Sequence, residues 1–363
     1  MRARRTVALA ACSFLALIAG CTSGASVENA GKPPPRPPRI LNANGDRALI
    51  FDPMMATISG FDRIRGRVWQ DREIAKTAND IVCVLQCRAV VVSTGAGAKG
   101  GLYQVAEQGR SAFPVSGVRD ARVLAAVSTD DAVVEETVGG RTRITLIRSG
   151  QRKRLELPHS GYRWVESPDG RAALAFTVQP DVREARLLQF VRDSRGWNPV
   201  GNGIPWGPIS DACVAGQGDV VLVLGAETTL IRAGNDRRKV DPSLAEAREC
   251  ALGTSAAALV SRATNDRGDF RTVVHGLDMN GRMAWRRDYP SEAGVTAHPN
   301  KPYVGIADGR TFTIVDARGQ NVWARDGVAA ARFTSGGQLV TVSPKGEVTW
   351  LSTELLKDAY RNS

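Results

Sequence analysis

Cysteine is the residue type whose number and spacing could do the most chemistry in this chain: Cys12, Cys21, Cys83, Cys87, Cys213 and Cys250. In Cys83-Val-Leu-Gln-Cys87, two thiolates four residues apart suit a soft metal such as copper or a redox pair. Such a site draws on a neighbouring His or Met, and none lies beside it. Disulfide formation is the expected chemistry instead, and four cysteines allow three connectivities. The three histidines, His159, His275 and His298, show no metal-ligand or nucleophile spacing. His159 follows Pro158 and His298 precedes Pro299, so both are expected as polar loop residues. No Ser, Cys or Thr stands in a recognisable nucleophile elbow. The acid pairs Asp130-Asp131 and Glu135-Glu136 are adjacent, so on a strand they point to opposite faces and cannot flank one bond. They are expected as solvated turn charge. Asp278-Met-Asn-Gly281 and Asn265-Asp-Arg-Gly-Asp269 offer oxygen ligands without the full spacing of a calcium loop. No catalytic residue, metal site or cofactor is therefore expected.

The compartment is read from the beginning of the chain. Arg2 to Arg5 form a positive segment, Val7 to Ala19 an apolar one, and Ile18-Ala19-Gly20-Cys21 ends it. This is the pattern of a secretory leader, too short and wrongly flanked for an ordinary spanning helix. Its last four residues resemble the lipobox of bacterial lipoproteins, which implies cleavage before Cys21 and a diacylglycerol on its sulfur. The resemblance implies a chain outside the cytoplasm, anchored to the bacterial cell membrane by lipid, with nucleic acid excluded as a partner. Residues 21–39, ending in Lys32-Pro-Pro-Pro-Arg-Pro-Pro-Arg39, read as an extended tether. The net charge of +11 includes three leader arginines, and what remains is still basic. Outside the cytoplasm that balance favours anionic lipid or wall polymer.

These groups must be carried by the elements that follow. With 43% hydrophobic and 23% charged residues the chain has an ordinary core-forming composition. From Ile40 on, short Val-, Ile-, Leu- and Ala-rich runs alternate with Gly, Asp, Ser and Pro, the mark of an all-β fold. One turn recurs, at Gly109, Gly150, Gly196, Gly234, Gly281 and Gly319, spaced 38 to 47 residues apart. Late in the chain it is followed by tryptophan, in Asp278-Met-Asn-Gly281-Arg-Met-Ala-Trp285 and Asp316-Ala-Arg-Gly319-Gln-Asn-Val-Trp323. Ser343-Pro-Lys-Gly346-Glu-Val-Thr-Trp350 looks like a third copy. Its interval is short, however, and its Gly346 corresponds to Gly309, an earlier turn of the preceding unit. The last unit is thus one strand short. Recurrence at this period indicates a propeller. Six marked units and one incomplete unit predict seven four-stranded blades, six or eight being alternatives. Closure is expected from strands of both chain ends in one blade, with Arg47-Ala-Leu-Ile-Phe51 or Ala56-Thr-Ile-Ser59 supplying the missing strand. The predicted organisation is a leader (1–20), tether (21–39), propeller (40–353) and tail (354–363).

Trp164-Val-Glu-Ser-Pro-Asp-Gly170-Arg-Ala-Ala-Leu resembles the inner hairpin of TolB-type propellers, and the Gly-x-x-x-Trp units resemble quinoprotein-type repeats. The latter raises pyrroloquinoline quinone chemistry, but the pattern is confined to the C-terminal third, and Trp285, Trp323 and Trp350 are expected to pack between blades. The unit assignment puts Cys83 and Cys87 in one unit, and Cys213 and Cys250 on equivalent inner strands of neighbouring units. It therefore predicts the pairs Cys83–Cys87 and Cys213–Cys250. Basic runs follow three marker turns, Arg152-Lys153-Arg154, Arg237-Arg238-Lys239, and Arg282 with Arg286-Arg287. On outer strands they would either resist edge pairing or meet an anionic surface. The expected function is binding: a tethered propeller presenting loops to a protein or envelope polymer. An envelope enzyme of quinoprotein or hydrolase type is the alternative.

Overall fold

In the computed structural model the chain is described over residues 37–352, apart from 75–77, 85–86, 88, 95–100, 114–120, 129, 140, 150, 158, 179–184, 195, 217, 233–235, 242–243, 245 and 265–269. The leader, Cys21, nearly all of the tether, the tail, Gly150, Gly234 and the Asn265–Asp269 segment fall outside these residues. Among the described residues, thirty-one strands form eight antiparallel sheets whose members follow one another in sequence. The sheets span residues 39–71, 78–112, 121–157, 162–206, 209–239, 247–289, 294–326 and 330–351, and are called blades 1 to 8.

The apolar runs show why the blades pack as they do. Ala172-Ala-Leu-Ala-Phe176, in the second strand of blade 4, is buried throughout. Its side chains alternate between two clusters: Ala173 and Ala175 join blade 3, while Ala172, Leu174 and Phe176 join blade 5. A strand buried on both faces needs apolar residues at both phases of its period-two alternation. The core accordingly comprises eight separate clusters, one at each seam between successive blades. Outer strands read differently, and Asp236–Lys239 is exposed along its whole length.

The count of eight corrects the predicted seven. Asp62 to Trp69 repeats the seven-residue step of Asp278 to Trp285 and Asp316 to Trp323, but its glycine, Gly66, stands one residue later than theirs. The turn does the same work. Asp62 Oδ1 accepts the backbone N–H groups of Ile64 (2.8 Å) and Arg65 (2.9 Å). Asp278 accepts from Asn280 and Arg282, and Asp316 from Arg318 and Gln320. Blade 1 is therefore a complete unit, and Arg47–Asp52 and Thr57–Asp62 are its own second and third strands. Neither is lent to the last blade, which has three strands among the described residues. The ring closes by packing. Ala43, Ala48 and Ile50 of blade 1 are buried with Val340 and Val342 of blade 8. Arg332 donates to the carbonyl of Leu41 (3.1 Å), and Ser335 bonds the Asn44 side chain (2.9 Å).

Two finer expectations hold. The Ser343 turn joins the second and third strands of blade 8, as the Asp308 turn does in blade 7, so it is a different turn from the Asp278 and Asp316 copies. Ser167-Pro-Asp-Gly170 joins the two inner strands of blade 4, with Ser167 Oγ accepting the N–H of Ala172 (2.9 Å). The tryptophans do lie in seams: Trp285 between blades 6 and 7, Trp323 between 7 and 8, Trp350 between 8 and 1. Trp285 pairs across the sheet with Gly276, and a Cβ on that glycine would stand 1.9 Å from the indole. Gly276→Ala must therefore displace the ring from its seam. A loss of about 2 kcal/mol in chemical denaturation is expected, typical of overpacking, and unchanged stability would show that the ring moves aside at no cost.

Strand direction gives the ring two distinct faces. Each first strand begins, and each second-to-third turn lies, on what we call the proximal face. First-to-second and third-to-fourth turns lie on the distal face.

Candidate functional site: the axial channel and the basic rim

First strands contact one another around the ring and so line its axis. Four of them carry a bulge near their start, with register shifts between Ile40 and Asn42, Ala78 and Asp80, Ile209 and Asp211, and Ala247 and Glu249. A bulge re-aims the extra side chain, and the extra residues Leu41, Ser210 and Arg248 are exposed. The proximal mouth of the channel is thus built by an irregularity repeated from blade to blade.

Charged groups from several blades meet along this axis. Arg163 of blade 4 reaches Asp211 of blade 5 at 3.0 Å. Loss of water still holds the Asp211 carboxyl above its usual range, with Arg163 opposing the shift. Glu166, where the first strand of blade 4 ends, accepts from the Trp164 indole at 3.1 Å. It is open to the channel yet surrounded by protein, and desolvation pushes its carboxyl up. Arg332 belongs to blade 8, four blades away and so across the ring. Desolvation pushes its guanidinium down, and the two opposite charges partly offset each other's shift.

The predicted disulfide pairs are both present. Cys83–Cys87 lies within the hairpin of the first two strands of blade 2, with Cα atoms 4.6 Å apart. Cys213–Cys250 joins the first strands of blades 5 and 6 across 6.1 Å. Asp211 Oδ2 lies 3.9 Å from Cys250 Sγ, but the sulfurs of this trio are bonded to each other, so it is not a free ligand set.

Glu135 and Glu136 correct the expectation of solvated turn charge. Both are buried, on opposite faces of one strand. Glu135 accepts the backbone N–H groups of Gly161 and Tyr162 and pairs with Arg122 at 3.4 Å, stapling blade 3 to blade 4. Glu136 is held by Arg143 at 2.7 Å and by the Thr145 hydroxyl, and these bonds outweigh burial to hold its carboxyl low. The signal was two acids inside the apolar run Ala132-Val-Val, where only satisfied charge is tolerated. The Asp278 carboxylate is spent on its own turn. The histidines are not brought together: His159 precedes blade 4, His275 lies in blade 6, and His298 in blade 7. His298 is buried against Phe333, a core side chain in a loop, not a solvated one.

All three basic runs lie on fourth, outer strands, except that Arg282 stands in the turn just before one. Arg152, Lys153 and Arg154 are exposed on Gln151–Leu157 of blade 3. On blade 5, Arg237 stacks over Trp206 (4.9 Å), Arg238 pairs with Asp236 (3.0 Å) and Lys239 with Glu227 (2.8 Å). On blade 6, Arg286 pairs with Asp288 and Arg287 donates to the carbonyl of Gly319 in blade 7. Spacing could not reveal that the second and third runs border one cleft. Arg238, Lys239 and Asp241 of one rim face Asn280 to Met283 of the next across an open volume of about 710 Å³, and Arg238 bonds Asn280 over the seam at 3.1 Å.

Neither a protein family nor a characterised protein is matched by the sequence. Solved structures are matched in shape. A prolyl endopeptidase superposes with a TM-score of 0.55 at 12% identity, over 87% of this chain and 53% of its own. The likeness is one of fold. This chain therefore spans about half of that enzyme. A puromycin hydrolase (TM-score 0.48, 15% identity, 85% of this chain and 60% of its own) and TolB from Acinetobacter baumannii (0.37, 11%, 70% and 62%) are more distant in shape.

Proposed function

We propose that this chain is a lipid-anchored, extracytoplasmic propeller that binds an anionic polymer of the cell envelope along the rim of blades 5 and 6. The cleft between those rims carries the reading: Arg238, Lys239 and Arg282 line it, against one carboxylate, Asp241. Their partners Asp236 and Glu227 form exposed pairs, which contribute little and exchange readily for another anion. A rigid ring suits the task, since it holds these cations on outer strands with little ordering cost on binding. The lipobox-like Ile18-Ala-Gly-Cys21 and the proline-rich segment support a tethered position. Arg152, Lys153 and Arg154 extend the same sign of charge to blade 3.

Titration of the purified chain with poly(glycerol phosphate) tests this. Binding is expected to weaken by about tenfold or more between low and high salt, and the triple substitution Arg238→Gln, Lys239→Gln, Arg282→Gln is expected to abolish most of it. Binding equal for a neutral polymer, or unaltered in that variant, would remove the cleft from the reading. Turnover of a peptide or ester substrate by the same preparation would favour the enzyme alternative.

A further inference from the structure

Nine large apolar side chains stand exposed among the described residues. Five belong to second-to-third connections and therefore to the proximal face: Met54 and Met55 in blade 1, Val138 in blade 3, Val178 in blade 4, and Phe270 in blade 6. Met54 is 65% and Phe270 74% exposed, values at which nothing in the fold explains an apolar choice. On the distal face the corresponding residues are Ile64 in blade 1 and Met283 at the third-to-fourth turn of blade 6, while Val200 lies within an outer strand and Leu41 on the first strand of blade 1. The proximal tips do not form one patch. They are distributed over blades 1, 3, 4 and 6, well around the ring and on the same side of it.

That distribution is informative about the occupant. Protein partners concentrate apolar anchors near the centre of a contiguous patch. Apolar tips set apart around the edge of a disc instead meet a plane all at once, and amphipathic surfaces bury such tips at the boundary of headgroups and acyl chains. Exposed cations accompany them: Arg141 follows the Val138 turn, Arg271 follows Phe270, and Arg310 and Lys345 occupy the equivalent turns of blades 7 and 8. Two of the carboxylates on these turns are spent on backbone. Asp52 accepts the N–H groups of Met54 and Met55, and Asp308 those of Arg310 and Thr311. The first strand of blade 1 also begins on the proximal face, at Arg39.

We propose that the proximal face rests on an anionic lipid bilayer, with Met54, Met55, Val138, Val178 and Phe270 inserted at the interface and Arg141, Arg271, Arg310 and Lys345 at headgroup level. This deepens the anchored reading and rests on it for the source of the membrane. The distal face and the rim cleft then remain open to solvent.

The test uses the full chain recovered from bacterial membranes and reconstituted into phosphatidylethanolamine–phosphatidylglycerol vesicles carrying an acyl-chain quencher. A fluorophore is placed on Met55→Cys, Phe270→Cys or Ile64→Cys, all exposed positions where folding is undisturbed. Quenching at 55 and 270 is expected to exceed that at 64 by about threefold or more, as for interfacial insertion. Equal quenching at all three positions overturns the proposal, as does stronger quenching at 64. The mass of the Cys21 peptide is read on the same samples. Unmodified Cys21 defeats the lipid anchor while the quenching contrast still decides the face; modified Cys21 with equal quenching keeps the anchor and defeats the face.

Discussion

Cys213→Ala/Cys250→Ala is expected to lose about 4 kcal/mol of stability, because the bridge closes a 37-residue loop and a cross-link of that span withdraws the corresponding entropy from the unfolded chain. The double substitution leaves no free thiol to reshuffle. Guanidinium denaturation of oxidised protein reads the loss, and hydrogen exchange locates it. The first strands of blades 5 and 6, Ile209–Ala215 and Ala247–Leu252, should exchange faster than those of blades 1 and 8. The Cys83–Cys87 bridge closes a loop of only four residues, so Cys83→Ala/Cys87→Ala is expected to lose about 2 kcal/mol. Equal losses in the two variants would mean that loop length does not govern the stabilisation.

Acidification is expected to destabilise the fold through His298. Its imidazole is 4% exposed between Tyr303 and Phe333, and Nδ1 accepts the backbone N–H of Asn300 at 3.1 Å. Desolvation, with repulsion from Lys301, pushes its pKa down from 6.5 to about 4. A proton added at Nδ1 would face that N–H donor. Between the two values the unfolded chain binds the proton and the folded chain does not. Stability is therefore whole above pH 6.5, falls as pH drops toward 4, and levels once the folded state is protonated too. The full span is about 3 kcal/mol at 1.36 kcal/mol per unit. His298→Asn keeps an acceptor without a titrating ring. Urea midpoints of the two proteins should converge as pH falls from 7 to 4, whereas parallel curves would show that His298 titrates normally. The comparison also cancels Asp131, Glu166 and Asp211, whose raised carboxyls act in the opposite direction.

Turn chemistry is local, which is why much of this fold is legible in the chain. An aspartate that accepts two N–H groups, a glycine with positive φ and a following tryptophan mark one turn at Asp278 and again at Asp316. The miscount has another source. Gly66 stands 43 residues before Gly109, within the 38 to 47 spacing of the marked turns, but assigning Arg47–Phe51 or Ala56–Ser59 to close the last blade leaves blade 1 without a unit of its own. Glu135 and Glu136 were misjudged because a charge's burial depends on partners from other strands: Arg122 and Arg143 come from different strands of the blade, and two backbone amides from the next blade.

The amino-acid sequence by itself determined an all-β propeller, its repeat length, its inner and outer strands and its disulfide partners, since each follows from spacing and side-chain alternation along one chain. The tertiary structure alone decided that there are eight blades, that the ring closes by packing and without a borrowed strand, and that Glu166 and Arg332 oppose each other across the channel. It also decided that two basic runs border a single cleft and that five exposed apolar tips share one face. These are relations between blades, set by the angle at which each sheet packs on the next, and a one-dimensional period carries no record of that angle.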